Sequence, residues 1–575
     1  MQSNDPDYAK LKWLLQRLHS SEEYCLPYFE RAKRHYKLYR FSTAVSDADW
    51  PYTNRVRSRD IFAFVEDTTA ILIQTLFATT PFFSILPRQT GSKSLEILGI
   101  DLLKVGQQME TVLDYQISHE DTDFLEEIVD YFKGGKIFGT SYIGVYPKFE
   151  SDGSYFLPLL KTIDFWDVLP VVGSKRMAKS RGVFVREFVT KEDLLDAQKK
   201  GIYSKVDAIG SSTAGVDVQW HKDLMTDCGM TGYTFDDTDI EVIHYFSGGH
   251  IITIANRMAV LRDSTEAGAG GEINTPYPYS MPVVQFKDVP IPNEFFGIGI
   301  PEIIEVLQED KNLVRSARRD NIDLCINKII MTKEGTDINY DMIKFFPGAI
   351  WPEMMGKIEP LDIHDVTQSS YAEERQIQAD MENALSLFGY ARGMTPAHAE
   401  QPTTVMKLQQ ASLNRQDIAV KMAEFTVLQE IARKIIMLNR KYMTQETYES
   451  IIGEPDAGFY KLPPEYINRF YAVRPIGSSV SHIKEVRQQQ IQFALDVAAK
   501  TPPEIMQGNV RPFTIDYLEL IRTAFDAADI KNIDRILVPQ QPQQADPLQM
   551  MLSDPNIVAQ LAGVPYGQQN QGGQQ

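Results

Sequence analysis

The segment from Pro290 to Lys328, PIPNEFFGIGIPEIIEVLQEDKNLVRSARRDNIDLCINK, constrains this chain more than any other. Phe295, Phe296, Gly297 and Gly299 make an apolar, glycine-punctuated turn. Pro301 follows in what should be the first turn of a helix, where its missing N–H costs nothing. No Gly or Pro recurs before Gly335, so the pattern predicts a helix from Ile300 to Asn327, a rod of about 40 Å. Its apolar positions, Ile303, Ile304, Leu307, Val314, Ala317 and Leu324, thin out toward the C-terminal end, and charge fills the gaps. A rod of this kind needs neighbours along its whole length. We therefore read it as a subunit-packing element that one chain alone could not bury well.

A second helix is expected from about Thr367 to Phe388, with Ser370-x-x-Glu373 as a capping box. Between Asp365 and Phe388 the charged residues are Asp365, Glu373, Glu374, Arg375, Asp380 and Glu382, five acids and one base. Such a face is either simply solvated or turned toward a channel, where it would repel a polyanion over a Debye length of about 8 Å. The two rods flank an insert of about 38 residues (328–365), the arrangement of a stalk that carries a tip. After them comes a loop, Gly389 to Thr403, which holds Arg392 and His398 among Gly389, Gly393, Pro396 and Pro402. A third long helix is expected from about Thr404 to Tyr442.

Elsewhere the pattern alternates. Helical spacing covers 7–40, Asp60 to Thr79, and Leu95 to about Phe132. From Gly134 short β-rich runs take over (GTSYIGVYPKF, YFLPLLKTI, WDVLPVV, GVFVREFVT), and Thr190 opens a helix that ends at Gly201. Further strands are expected in IEVIHYFSGG, HIITIANRMAV and MPVVQFKDVP. Two shorter helices, His482–Lys500 and Phe513–Ala527, precede a Gln-, Pro- and Gly-rich tail that carries no core pattern. The fold class is α+β.

Charge and motif content narrow the function. With 58 basic and 77 acidic residues the formal charge is −19, the wrong sign for gripping phosphate backbones but no obstacle to letting DNA pass. Cys25, Cys228 and Cys325 are far apart and form no CxxC, so reduced thiols are expected. The N-terminus lacks signal-peptide character, and Thr68 to Pro87 is too polar to span a membrane. Gly297-Ile298-Gly299 lacks the third glycine of a dinucleotide fingerprint and reads as a tight turn. There is no Walker motif, GxSxG, HExxH or EF-hand loop; His244 and His250 read as paired strand residues rather than metal ligands. No catalytic signature, cofactor site or metal site emerges, which argues against an enzyme.

The order of these features resembles the portal (head-to-tail connector) proteins of tailed bacteriophages, the short-tailed type in particular. EDTTAILIQTLFATTPFFSILPR (66–88), FGTSYIGVYPKF (138–149), TIDFWDVLPVV (162–172) and RGVFVREFVTKEDLL (181–195) are similar to successive family segments. NEFFGIGIPEIIEVLQEDKNLVRSARRDNIDL (293–324) resembles the turn into the stem helix, FPGAIW (346–351) a clip strand, and PTTVMKLQQASLNR (402–415) the start of the wing helix. Met406 and Lys407 stand where the family often has a Glu. The likeness covers about residues 60–530.

The resemblance implies a strand-rich wing (1–298 and 404–480), stem helices (299–327 and 366–390), a small α/β clip (328–365), a tunnel loop (391–403) and a helical crown (481–537), while composition alone marks 538–575 as a disordered tail. It further implies a ring, usually of twelve copies, at one capsid vertex of the virion, assembled in the host cytoplasm. Double-stranded DNA would pass through it. The terminase large subunit would dock on the clip, to be replaced by head-to-tail adaptor and tail proteins, with major capsid and scaffolding proteins around the ring. On this reading Glu373, Glu374, Arg375, Asp380, Glu382, Arg392 and His398 are candidates to face the tunnel. Arg315, Arg318, Arg319, Asp320 and Asp323 are candidates for contacts between adjacent stems, and Lys333, Lys344, Phe345 and Trp351 for clip contacts. The competing expectations are another virion component, of tail or baseplate, and a carboxylate-dependent hydrolase, which would need a deep pocket holding two perturbed acids.

Overall fold

The computed structural model describes residues 6–41, 51–77, 82–88, 100–150, 155–209, 239–264, 276–327, 329–332, 358–361, 363–364, 367–386, 418–463, 467 and 471–475. The chain divides into two compact units, Met1–Ser479 and Val480–Gln575, and every described residue belongs to the first. The expected crown and tail, the clip residues Lys333, Lys344, Phe345 and Trp351, and the loop residues Arg392 and His398 lie outside the described residues.

Helix α1 (Pro6–Tyr39) buries Leu11, Leu14, Leu18, Ser21, Cys25, Phe29, Ala32, His35 and Leu38, a stripe at three- and four-residue spacing. Helix α2 (Asp60–Leu76) follows and stops before the expected Thr79, with the Phe77 N–H on the Ile73 carbonyl. The helical region expected over 95–132 holds two helices, α3 (Leu102–Ser118) and α4 (Phe124–Phe138). The cause is local. The His119 ring accepts the Asp121 N–H and Asp123 takes a left-handed conformation (φ 47°), a corner that apolar spacing does not reveal.

The strands then form antiparallel sheets. β1 (Phe83–Pro87) pairs with a strand near the end of the described residues, Tyr471–Pro475. β2 (Thr140–Phe149) lies between β3 (Tyr155–Ile163) and the later strand Val283–Lys287 in a three-stranded sheet. A five-stranded sheet runs in sequence order through β4 (Val168–Pro170), β5 (Val183–Val189), β6 (Ile240–Ser247), β7 (His250–Ala255) and β8 (Ala259–Asp263). Helix α5 (Lys191–Lys199) begins where expected, with the Thr190 hydroxyl accepting the Asp193 N–H. His244 and His250 do not face each other: Nδ1 of His244 sits 3.0 Å from the Thr253 hydroxyl, and His250 pairs with Ser247 across the turn.

β9 (Val283–Lys287) leads into the short pair β10 (Val289–Pro290) and β11 (Gly297–Ile298) and then the first rod, α6 (Ile300–Ile326). The glycines before the rod are required by a backbone crossing. A Cβ on Gly297 would stand 2.6 Å from the Gly139 carbonyl oxygen, and one on Gly299 2.6 Å from that of Ile137. The rod's start is thereby locked against the end of α4. β12 (Ile330–Thr332) and β13 (Ile358–Pro360) pair antiparallel beyond it, closing the base of the expected clip. The second rod is α7 (Thr367–Leu385). Residues 418–442 are helical, with a π-turn at Glu424–Leu428 and then α8 (Gln429–Tyr442). α9 (Gln445–Ile452) and β14 (Tyr471–Pro475) follow. Among the described residues no helix is long and apolar enough to cross a membrane.

Candidate functional site

The two rods run antiparallel, as their side-chain pairs show in succession. Cys325 Sγ lies 3.7 Å from the Ile363 carbonyl, Arg318 reaches Ser370 and Tyr371, Arg315 reaches Glu374, and Lys311 reaches Gln378. Near the start of α6, Ile300 and Ile304 share a core with Ile377, Met381 and Leu385 of α7 and with Leu38, Ile61, Phe64 and Val65. Two guanidiniums of α1 hold the outer side of the same turn, Arg31 on Glu302 at 2.9 Å and Arg34 on Glu305 at 2.6 Å. His35 lies buried beside them, its Nε2 3.7 Å from Glu305. Burial, reinforced by Arg31 and Arg34, pushes the His35 imidazole down to about 3, so it is neutral at physiological pH.

Beyond this foot the rod's buried face turns polar. Gln308, Asn312, Ser316 and Asp320 recur every four residues and form a ladder of acceptors. A strap, residues 53–59, lies along it and leads into the first turn of α2. The backbone N–H of Ile61 donates to Gln308 Oε1 (2.8 Å), that of Ser58 to Asn312 Oδ1 (2.7 Å), and that of Val56 to Ser316 Oγ (3.0 Å). The N–H groups of Asn54 and Thr53 both donate to the Asp320 carboxylate at 2.8 Å. Against the upward push of desolvation, the Asn54 and Thr53 donors hold the Asp320 carboxyl below the usual range. Lys311 closes the strap's far end, bonding Asp60 at the start of α2 and Gln378 on α7. The expectation that only copies of the chain could bury this rod is thus corrected for its first two-thirds. The rod's side chains there accept the chain's own backbone N–H groups, which would otherwise be left unpaired.

The candidate charged residues fall into two groups. Glu374 is half-buried between Arg315 (3.3 Å) and Arg318 (2.6 Å), and the Arg318 guanidinium also lies 4.0 Å from the centre of the Tyr371 ring. Asp323 accepts from Asn54 Nδ2 at 2.7 Å and sits 3.7 Å from Arg319. Glu382 accepts from Gln378 at 3.2 Å. Glu373, Arg375 and Asp380 stand exposed on α7, Arg319 on α6. The capping box at Ser370 is not used. The helix has already begun at Thr367, and the Ser370 hydroxyl accepts from Arg318 instead.

A family model described as phage SU10 portal protein matches residues 160–561, more than half of the chain. The chain belongs to that family. No curated protein matches it. It is therefore a phage portal protein, a structural virion component of a family that forms homo-oligomeric rings in the capsid. The matched span begins within β3 and includes both rods. The portal's α1 and strap, which clamp the first rod, precede the matched residues.

The portal also holds the kind of pocket that a hydrolase would need, and its occupancy speaks against one. A cavity of about 350 Å³ between β3 and β5 is lined by Asp167, Arg186, Glu187, Lys161, His244 and Tyr203. Burial raises the Asp167 carboxyl, while a hydrogen bond to His244 heads the causes that bring Glu187 down to about 2. Each acid is already engaged within the chain, Asp167 by Arg186 (3.1 Å) and Glu187 by Lys161 (2.7 Å). Arg186 also faces the buried Glu241, itself gripped by Arg257 (3.0 Å). This is an ion network tying sheet strands together, with neither acid free to shuttle a proton. Among the described residues no cluster of His, Cys, Asp or Glu could hold a metal.

The sequence carried a signal for the strap that went unread: four polar residues at strict four-residue spacing on one rod face, Gln308 to Asp320. An amphipathic reading scores apolar recurrence and counts this stripe as solvated.

Proposed function

We propose that this portal forms the ring-shaped channel at one capsid vertex through which double-stranded DNA is packaged and later ejected. The observation that carries the reading is the antiparallel pair of rods. It is clamped at its foot by the chain's own α1 and strap but leaves large apolar groups bare along its length. Ile326 is 73% exposed and Val306 69% exposed, costs that a neighbouring copy would remove. A closed ring supplies such neighbours by repeated head-to-tail contact. In this assembly 299–327 and 366–390 are the stem, 328–365 the clip, 1–298 with 404–480 the wing, 391–403 the tunnel loop and 481–537 the crown. Arg319 meets the adjacent stem, with Arg315, Arg318, Asp320 and Asp323 behind it setting the rods' spacing. Glu373, Arg375 and Asp380 face the channel, where net acidity lets a polyanion slide without adhering. The clip, through Lys333, Lys344, Phe345 and Trp351, docks the terminase large subunit and afterwards the adaptor and tail proteins. Major capsid and scaffolding proteins surround the wing.

Negative-stain microscopy and native mass spectrometry of the purified protein test this directly. Rings with a central channel, twelve subunits by mass, are expected; a compact monomer at micromolar concentration would overturn the reading.

A further inference from the structure

Two surfaces of the described body carry opposite charge and have no counterpart within it. The first is a cleft of about 810 Å³ between β9, the turn 290–294, the segment 175–179 and the π-turn of the 418–442 helix. Lys175, Arg176, Lys179, Lys287 and Arg433 line it, an unusual concentration in a chain of net charge −19. Their bonds go to neutral oxygens. Lys287 donates to the carbonyls of Lys175 (3.1 Å) and Glu294 (2.8 Å), and Lys175 to the Asn293 side chain (2.8 Å). Among the described residues Arg176, Lys179 and Arg433 form no ion pair. Two acids also line the cleft, but Glu430 is engaged by Lys434 at 2.7 Å. Burial and the neighbouring Arg176 bring Lys287 down to about 8, outweighing the opposing pull of Glu294, the cleft's other acid. The π-turn, a rare wide turn often found at functional positions, sets Phe425 on the cleft with 61% of its surface exposed.

The second surface is the corner between α3 and α4. Glu120, Asp121, Asp123, Glu126 and Asp130 are all exposed there, around Leu125, which is 57% exposed. Beside them His119 lies 3.7 Å from Asp121, and Lys148 donates to the Asp121 carbonyl. The two surfaces lie at opposite edges of one sheet, ordered β3-β2-β9. The corner is fastened to β3, where the Glu127 carboxylate accepts the Thr162 N–H at 2.5 Å. The cleft is lined by Gln285 and Lys287 of β9.

We infer that the basic cleft of one portal subunit receives the acidic corner, residues 120–130, of a second copy. The inference rests on the ring reading above and gives it a specific wing contact. A heterologous contact that repeats around a ring needs two different, mutually complementary patches on different sides of one subunit, and these are such a pair. Five carboxylates meet five cations around an apolar centre of Leu125 against Phe425, a desolvated contact ringed by charge. A nucleic acid duplex is the other polyanion to consider. The charge-reversal experiment below separates the two.

Charge reversal decides the matter. The variants are Arg176→Glu with Lys179→Glu on the cleft, and Asp121→Lys with Glu126→Lys on the corner, all at exposed positions. Each double variant alone should lose at least tenfold of its ring fraction in native mass spectrometry at 0.15 M salt. The first then keeps three cleft cations beside two new carboxylates, and the second three corner carboxylates beside two new ammoniums. In an equimolar mixture the reversed pair of one faces the reversed pair of the other, so rings should return in which the variants alternate one to one. Full ring formation by either variant alone would overturn the inference. So would failure of the mixture when circular dichroism shows both variants folded. Duplex binding that falls tenfold in the cleft variant while its rings persist would assign the cleft to phosphate backbones and reject the proposal. Were the unaltered chain to form no ring at all, the ring reading itself would fail, an outcome distinct from intact wild-type rings with intact variant rings.

Discussion

Asn312→Ala tests the polar ladder at a rung whose two partners are both buried. In the structure Asn312 and Ser58 are both buried, and the Asn312 carbonyl oxygen is the acceptor for the Ser58 N–H at 2.7 Å. Alanine offers no acceptor for that N–H. A buried donor left unpaired costs about 1–3 kcal/mol. Alanine's better helix propensity returns about 0.5 kcal/mol. The net loss is therefore about 0.5–2.5 kcal/mol, and it falls on the strap rather than on the body. Local opening should become more frequent by a factor of about 2–70. Native-state hydrogen exchange read on peptides covering 51–61 measures it, with Asn383→Ala on the exposed face of α7 as the control. Gln308→Ala should expose the Ile61 amide in the same way, and the double variant should cost less than the sum because the strap peels as a unit. Exchange of the strap amides within twofold of wild type in Asn312→Ala would refute the claim that the rod is clamped by its own chain.

Three further outcomes are expected. Neutral, buried His35 makes stability depend on pH: below 6.5 the unfolded chain takes up a proton that the folded chain refuses until about 3. Stability tied to this group is therefore present at pH 7 and falls as pH drops, by about 2 kcal/mol between pH 7 and 5; denaturant midpoints of His35→Leu should lose that slope, and an unchanged slope would count against it. Arg318→Glu sets a second carboxylate against Glu374 and removes the stacking on Tyr371, so rings should be lost; unaltered oligomers in native mass spectrometry would show that the pair does not space the stems. Gly299→Ala drives a methyl to 2.6 Å from the Ile137 carbonyl oxygen, and a loss of about 3 kcal/mol or of soluble protein is expected in a thermal melt, where an unshifted midpoint would deny the crossing.

The rods, the helix opened by Thr190 and most of the strands could be read from spacing, glycine and proline alone, because those signals act within an element. So could the order of segments that relates the chain to portal proteins. Other features could not. The split between α3 and α4 depends on a hydrogen bond from Asp121 to His119 and on a left-handed Asp123, neither of which changes the apolar period. The π-turn at Glu424–Leu428 likewise leaves no mark on composition. The partners of the polar residues were the furthest from view. Arg315 and Arg318 meet Glu374 across the hairpin, and Gln308 to Asp320 meet a strap about 250 residues earlier in the chain. The sequence by itself determined which residues form helices and strands and which of their faces are apolar, since backbone sterics and side-chain periodicity are local. Only the tertiary structure decided what each polar side chain bonds to, because a hydrogen bond or ion pair is fixed by proximity in space, and proximity between distant segments is created by folding rather than written in either segment.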